Sequence, residues 1–146
     1  MKKFLYCCCF VLCLFLFTGC GSKTLKCSKE SNNNNNEMKM FQSINVSFKN
    51  DSVSKLSMNI NVQLSENYID LRDSLIQSIE NEFDDFNGEK GISYSTKKKD
   101  DGFDFKLDAN FNKLNNDVKK DLSIINYESS YDVAKQEFEN SGYSCN

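Results

Sequence analysis

The clearest pattern in this chain of 146 residues lies at positions 38–64, which read MKMFQSINVSFKNDSVSKLSMNINVQL. Apolar residues occupy alternate positions on both sides of a short polar stretch at 49–52. Because successive side chains of a strand point to opposite faces of a sheet, each run predicts a strand with one buried face. Two such runs around a short turn predict a β-hairpin that is solvated on one side.

The periodicity changes directly after this hairpin. From Ser65, which can cap a helix, apolar residues recur every three or four positions as far as Phe86, and Asn87-Gly88 marks a helix end. The stripe consists of Tyr68, Leu71, Leu75, Ile76, Ile79, Phe83 and Phe86. This region therefore predicts an amphipathic helix. The acidic residues at 80–85 fit its solvated face.

Alternation returns in two runs at positions 92–96 and 103–111, with a turn at 97–102 between them. The second hairpin places Phe103, Phe105 and Phe111 on one strand face. Those rings could form a stacking platform for a ligand, but Leu107 and Ala109 share their parity. We therefore interpret this face as part of the core.

Two further helices are expected towards the C-terminus. A short one begins near Asn115 or Asn116, and a last one has a capping box of Ser129 and Asp132, with Gly142 as its stop. The inward positions of the last helix are Tyr131, Ala134 and Phe138. The expected fold class is α+β: an antiparallel four- to five-stranded sheet built from two β-hairpins, with two main helices packed on one face.

The N-terminus has the pattern of an export signal. Lys2 and Lys3 precede an unbroken apolar run at 4–17, which is short for a permanent bilayer span. The run closes in Phe17-Thr18-Gly19-Cys20, which resembles the lipobox of bacterial lipoproteins. The resemblance implies cleavage after Gly19 and acylation of Cys20; the alternatives are an ordinary signal peptide and an uncleaved anchor. The expected organisation is a signal peptide at 1–19, a lipidated Cys and tether at 20–26, and a single α+β domain at 27–146.

Two cysteines remain when the signal and the lipid-bearing Cys20 are set aside: Cys27 and Cys145. In an exported protein these thiols can pair, which would tie the start of the domain to its end. Cys27 would then lie on a strand beginning near Leu25, and the asparagine run at 32–36 would be a surface loop. The alternative is two free thiols, with Cys27 on a mobile tether.

Composition excludes several classes of function. The formal charge of −3 becomes −5 when the signal removes Lys2 and Lys3, which argues against nucleic acid and against electrostatic docking to anionic lipid. The chain has no His, so Ser-His-Asp and Cys-His catalysis and His-ligated metals are excluded. We expect no cofactor, no metal site and no catalytic residues.

One acidic cluster is a candidate cation site. Asp100, Asp101 and Asp104 lie close together in sequence, but the spacing matches no complete calcium loop because the required glutamate is missing. A solvated hairpin tip is the simpler interpretation.

The order of elements resembles that of the YehR-like small bacterial lipoproteins, a family with no established activity. The matching features are the lipobox at Cys20, the hairpin at 41–64 with its Phe-Lys-Asn-Asp turn, and the segment at 130–143. The resemblance spans nearly all of the mature chain. It implies a fold and a location, and it implies no substrate because none of these motifs is a catalytic signature.

Three functions are compatible with these patterns. The first is a membrane-anchored extracytoplasmic lipoprotein that acts as a non-catalytic binding or accessory module for an unknown protein or envelope ligand. The second is a carboxylate-dependent enzyme of the cell envelope, which requires a concave site with an acid of raised pKa. The third is a structural or antigenic surface protein.

Overall fold

The computed structural model describes residues 22–33, 35 and 37–146, which form one antiparallel sheet and a set of helices. The expected α+β class is confirmed, but the described sheet has six strands and is accompanied by three α-helices. The elements are β1 (Lys23–Asn32), β2 (Met38–Lys49), β3 (Ser52–Leu64), α1 (Arg72–Phe83), β4 (Ile92–Lys99), β5 (Gly102–Asn110), α2 (Asn116–Asp121), α3 (Tyr131–Asn140) and β6 (Ser144–Cys145). Short 3-10 helices span Glu66–Leu71, Asp84–Phe86 and Phe111–Lys113.

The strands lie in the order β4-β5-β3-β2-β1-β6, and every neighbouring pair is antiparallel. The two predicted hairpins form the β5-β3-β2 centre and the β4 edge. Strands β1 and β6 extend the sheet beyond β2; β1 was expected only under the disulfide hypothesis, as a strand beginning near Leu25, and β6 was not predicted. Because β1 pairs with β2 from Lys23 onwards, the sheet begins four residues before the expected domain edge at 27.

The β2–β3 connection shows why the first hairpin could be predicted from the sequence. Lys49 pairs with Ser52, which leaves Asn50 and Asp51 as a two-residue turn, and both have positive φ, at 52° and 56°. Asn and Asp tolerate this left-handed region better than most residues, and the resulting turn matches the twist of paired strands. A bulge beside Ser47 follows, and the Ser54 hydroxyl donates to the Ser47 carbonyl oxygen at 2.9 Å.

The core lies between one face of the sheet and the helices. Phe105 and Leu107 of β5 are fully buried, and the Phe83 ring of α1 stacks on Phe105 with centroids 5.1 Å apart. Ala134 and Phe138 of α3 are buried on the same core, as predicted. The phenylalanines proposed as core, Phe103, Phe105 and Phe111, are 1%, 0% and 2% exposed, so that interpretation is confirmed.

Helix α1 begins later than the sequence predicted. Ser65 precedes a 3-10 turn instead of an α-helix, and its side chain makes no capping hydrogen bond. A 3-10 helix has three residues per turn, so the spacing of 3.6 is lost across this segment. Leu71 consequently leaves the predicted stripe and is 49% exposed.

The C-terminal caps differ from the prediction by one residue in one case and agree in the other. Asn115 caps α2, since its side-chain oxygen accepts from the backbone N–H groups of Asp117 and Val118 at 3.0 and 2.9 Å. The cap position of α3 is Ser130, whereas the predicted cap, Ser129, is buried in the preceding turn. Gly142, at φ 85°, lies just beyond α3 as predicted. None of the described helices has the length and apolarity needed to cross a bilayer.

Candidate functional site

The sheet has a second face, which we call the open face. It carries the residues of opposite parity to the core: even positions of β1 and β5, and odd positions of β2, β3 and β4. Apart from Gly102, and from Val53, which the β-bulge turns into the core, these residues are all exposed or half-buried, so the described elements leave this face uncovered. The sequence predicts a solvated sheet face but does not predict a binding site on it.

Small hydrogen-bonding residues dominate the open face and stand opposite one another across strands. One row reads Ser144, Ser28, Ser43, Asn59, Lys106 and Ser95 from β6 to β4. The next reads Lys26, Asn45, Ser57, Asp108 and Ser93. Hydroxyl and amide groups both donate and accept hydrogen bonds, so the face offers a ladder of uncharged polar contacts between scattered charges.

Three shallow depressions lie on this face. The first, of about 530 Å³, spans the β2–β4 end near Ser47, Lys55 and Asn110. The second, of about 450 Å³, lies beside Phe41, Asn61 and Lys97, and the third, of about 250 Å³, lies over the β1–β6 edge. Asn45 lines both the first and the third, and Ser43 lines both the second and the third. The depressions are therefore parts of one continuous surface.

Phe41 is the aromatic residue of the open face and is 47% exposed. It lies on β2 opposite Glu30 and Asn61, at the rim of the second depression. An exposed ring among polar side chains supplies an apolar contact where a ligand needs one.

The two aspartates of the open face are held in their ionised form. Burial raises the pKa of Asp104, but hydrogen bonds from Lys99 and Asn61 outweigh it, so the pKa is below its ordinary value. The contact from Lys99 Nζ is 2.7 Å and that from the Asn61 amide is 2.8 Å. Burial also raises the pKa of Asp108, but hydrogen bonds from Lys106 and Ser57 outweigh that effect, so this pKa too lies below its ordinary value.

The acidic residues weighed as a cation site do not come together. Asp100 and Asp101 form the β4–β5 turn, while Asp104 faces the sheet and accepts from Lys99 and Asn61. Within residues 22–33, 35 and 37–146, no group of three or more potential metal ligands comes together.

The disulfide predicted between Cys27 and Cys145 is present and is confirmed. The two residues face each other across β1 and β6, with Cα atoms 4.1 Å apart. Their neighbours Lys26 and Asn146 exchange both backbone hydrogen bonds, at 3.1 and 2.9 Å, which makes the cysteines a non-hydrogen-bonded antiparallel pair, the closer kind. Cys27 thus lies on a strand, as the disulfide hypothesis required.

The tail that carries Cys145 is also held by side chains. The Tyr143 hydroxyl donates to the Gln42 side-chain oxygen at 2.6 Å, and its ring meets Phe138 edge-on at 5.5 Å. Burial raises the pKa of Tyr143. Cys20, the predicted lipidation site, lies outside the described residues, as does the predicted signal peptide at 1–19.

Sequence reasoning missed the open face as a candidate site, although its signal was present. Ser or Asn stands at most odd positions from 43 to 61. The strand pairings bring these residues side by side with those of β1 and β5, which sequence alone did not reveal.

Comparison with known proteins identifies the fold. No protein-family model matches the chain, and no curated protein matches it. A solved NMR structure of a protein from Streptococcus pneumoniae TIGR4 is similar, with a TM-score of 0.55, 14% sequence identity and 86% of each chain covered. At that identity the likeness concerns the fold alone.

Proposed function

We propose that this chain is a lipid-anchored, extracytoplasmic, non-catalytic binding module whose ligand rests on the open face of the sheet. The observation that carries this proposal is the contrast between the two faces. The helices pack on one face and bury most of its apolar side chains, whereas the other presents Ser, Asn and Lys side chains in register and an exposed Phe41. A solvated antiparallel face needs no such continuity of hydrogen-bonding groups for folding alone.

The anchor part of the proposal rests on the sequence pattern that ends at Cys20 and is supported by two features of the fold. Strand β1 begins at Lys23, so an acylated Cys20 would hold the sheet within about 10 Å of the lipid attachment, given 3.3–3.6 Å per extended residue. The Cys27–Cys145 disulfide suits an oxidising compartment outside the cytosol.

The non-catalytic part rests on the state of the open-face acids. A carboxylate enzyme needs an acid with a raised pKa to protonate its leaving group. Asp104 and Asp108 have pKa values lowered by their hydrogen-bond donors, which is the opposite direction. Because each aspartate is paired with a lysine, it is suited to holding a negative charge in a defined place on the surface.

The anchor is tested with Cys20→Ser. Without the thiol, acylation cannot occur, and the precursor should accumulate uncleaved because lipobox processing follows lipidation. Labelling of wild-type cells with a fatty-acid analogue and size comparison of the two chains check this. Normal cleavage after Gly19 and normal membrane partitioning of the variant would refute the anchor.

The binding surface is tested separately with Ser43→Tyr/Asn45→Tyr, which fills the junction of the three depressions with residues that favour strands. The matched control is Gln77→Tyr/Gln136→Tyr, on exposed positions of α1 and α3. Detergent-washed cell envelopes of the producing bacterium should retain wild type and control and release the open-face variant. Equal retention of all three, or retention of none, would refute the open face as the binding surface and favour a display role.

A further inference from the structure

The open face differs from the rest of the molecule in charge. Seven lysines and three acidic residues have its parity: Lys26, Lys39, Lys49, Lys55, Lys97, Lys99 and Lys106, with Glu30, Asp104 and Asp108. The face therefore carries a formal charge of +4. Since the mature chain from Cys20 onwards totals −5, the rest of that chain carries −9. The whole-chain charge conceals a basic face on an acidic molecule.

Each depression contains one lysine that takes part in none of the ion pairs of the described chain. These are Lys55 in the first depression, Lys97 in the second and Lys26 in the third. Each lies among Ser or Asn side chains. The first two depressions also contain Asp108 and Asp104, which are ion-paired with Lys106 and Lys99. An additional ammonium group and neutral hydrogen-bond donors therefore converge on each depression. That combination matches an anionic group such as phosphate together with neighbouring hydroxyls.

The spacing of these lysines selects an extended ligand. In the strand order, Lys97 on β4, Lys55 on β3 and Lys26 on β1 are each separated by two strand spacings. Two strand spacings amount to about 10 Å, before any offset along the strands. A single small anion cannot bridge such distances, whereas a chain with repeated anionic groups can reach all three lysines.

We infer that the open face binds a flexible anionic polymer of the cell envelope, with phosphate groups along a hydroxyl-rich backbone. This rests on the proposed function and names the ligand chemistry of the same face. A lipid bilayer fits less well, because the unpaired lysines line depressions bordered by polar side chains and the face offers a single exposed ring, Phe41. Insertion into the headgroup region would require more apolar contact.

The test uses the mature lipidated protein in nonionic detergent micelles and a fluorescent poly(glycerol phosphate) chain as probe, with neutral dextran as comparison. The face variant is Lys26→Gln/Lys55→Gln/Lys97→Gln. Its matched control, Lys90→Gln/Lys120→Gln/Lys135→Gln, has the same net charge but changes lysines outside the open face. Anisotropy measures affinity at low and high salt.

We expect wild type and control to bind the poly(glycerol phosphate) chain, with affinity that falls as salt rises. The face variant should bind about 100-fold more weakly at low salt, taking roughly fivefold for each lysine lost near an anionic surface. Dextran should bind far more weakly than the charged chain. No binding by wild type, or equal losses in both variants, would overturn the inference.

Two further outcomes separate this inference from the proposed function. If dextran bound as well as poly(glycerol phosphate), the open face would remain a binding surface, but the inference of an anionic ligand would be wrong. The same conclusion would follow if only the envelope assay with Ser43→Tyr/Asn45→Tyr responded. In a last arm, the proteins partition between phosphatidylcholine vesicles and vesicles with equal parts of phosphatidylglycerol. A preference for the anionic vesicles that is lost only in the face variant, without polymer binding, would assign the face to the membrane.

Discussion

The two faces of the sheet are made by alternate residues of the same strands, yet they obey different constraints. On the covered face, Phe105 and Leu107 are fully buried against α1 and its neighbours. On the open face, Lys106, between them in sequence, is exposed and pairs with Asp108 at 2.8 Å. Residues of the covered face are constrained by packing, whereas residues of the open face are constrained by the groups they present to solvent. Substitutions one residue apart should therefore act on different properties.

The largest difference between the faces is expected at Phe105→Ala. The ring is 0% exposed and stacks on Phe83, and its removal leaves a cavity that the sheet cannot close. We expect a loss of about 4 kcal/mol in the free energy of unfolding. Urea denaturation of the folded domain, followed by circular dichroism, measures it.

The matched substitution is Lys106→Ala, one residue along the same strand. It removes an exposed side chain and one surface ion pair, so the change should stay within about 0.5 kcal/mol. Similar losses for the two variants would contradict the division of the strand into a packed and a presenting face.

The covered face is also closed by a covalent bond at its β1–β6 edge, and Cys27→Ala/Cys145→Ala tests how much of the fold depends on it. The bond links residues 118 apart in sequence, so its removal restores much chain entropy to the unfolded state. We expect a loss of about 3 kcal/mol, below the roughly 4.7 kcal/mol of the entropy model for loops of this size.

The control is the wild-type protein with its disulfide reduced, which should unfold at nearly the same denaturant concentration as the double variant. Alkylation of the unreduced, exported protein gives an independent check. Two alkylated thiols would show that the bond does not form in the cell, and the edge would then depend on β6 pairing and Tyr143 alone.

The sequence predicted the covered face far better than the open one. Alternation in β2, β3 and β5 follows directly from burial, and those strands were located from it. Strand β1 was harder to find because it buries only Leu25 and Cys27, so its periodicity is short. The open face was missed as a site because its charge segregation depends on which strands are neighbours, and strand order is set by non-local pairing.

Not every open-face position should tolerate change, and Gly102→Ala is the sharpest exception. Its φ is +154°, and an added Cβ would meet the Val62 carbonyl oxygen on the neighbouring strand, far inside contact distance. Because the added Cβ would clash with backbone atoms of β3, the β3–β5 pairing must shift. We expect a loss of about 2–3 kcal/mol in the free energy of unfolding. Thermal unfolding of the variant measures it.

Gly88→Ala serves as the comparison for that position. Gly88 also has a positive φ, of +84°, but nothing lies within 4 Å of the added Cβ. Only the left-handed backbone conformation should cost stability, lowering the free energy of unfolding by about 1 kcal/mol. If the two substitutions cost the same, the close approach of Val62 to Gly102 would have no energetic weight.

The smallest effect is expected from the ion pair of the open face itself, through Asp104→Asn. The pKa of Asp104 is lowered from its ordinary 3.8: burial acts upward on it, but Lys99 and Asn61 outweigh that effect. A group whose folded-state pKa is lowered stabilises the fold above its unfolded pKa and loses that contribution as the pH falls through the folded value. The wild type should therefore lose this stability below about pH 4, and the variant should lack it throughout. Because the Asp104 side chain is 39% exposed, solvent screening reduces the effect to a few tenths of a kcal/mol.

The free energy of unfolding is measured for wild type and Asp104→Asn at pH 7 and at pH 3. The two proteins should differ at pH 7 and converge at pH 3. The control, Asp100→Asn, changes a turn carboxylate that makes no ion pair in the described chain and should run parallel to wild type. A difference that instead grew on acidification would mean that Asp104 is held in its protonated form, and the open face would then carry the raised-pKa acid that a carboxylate enzyme requires.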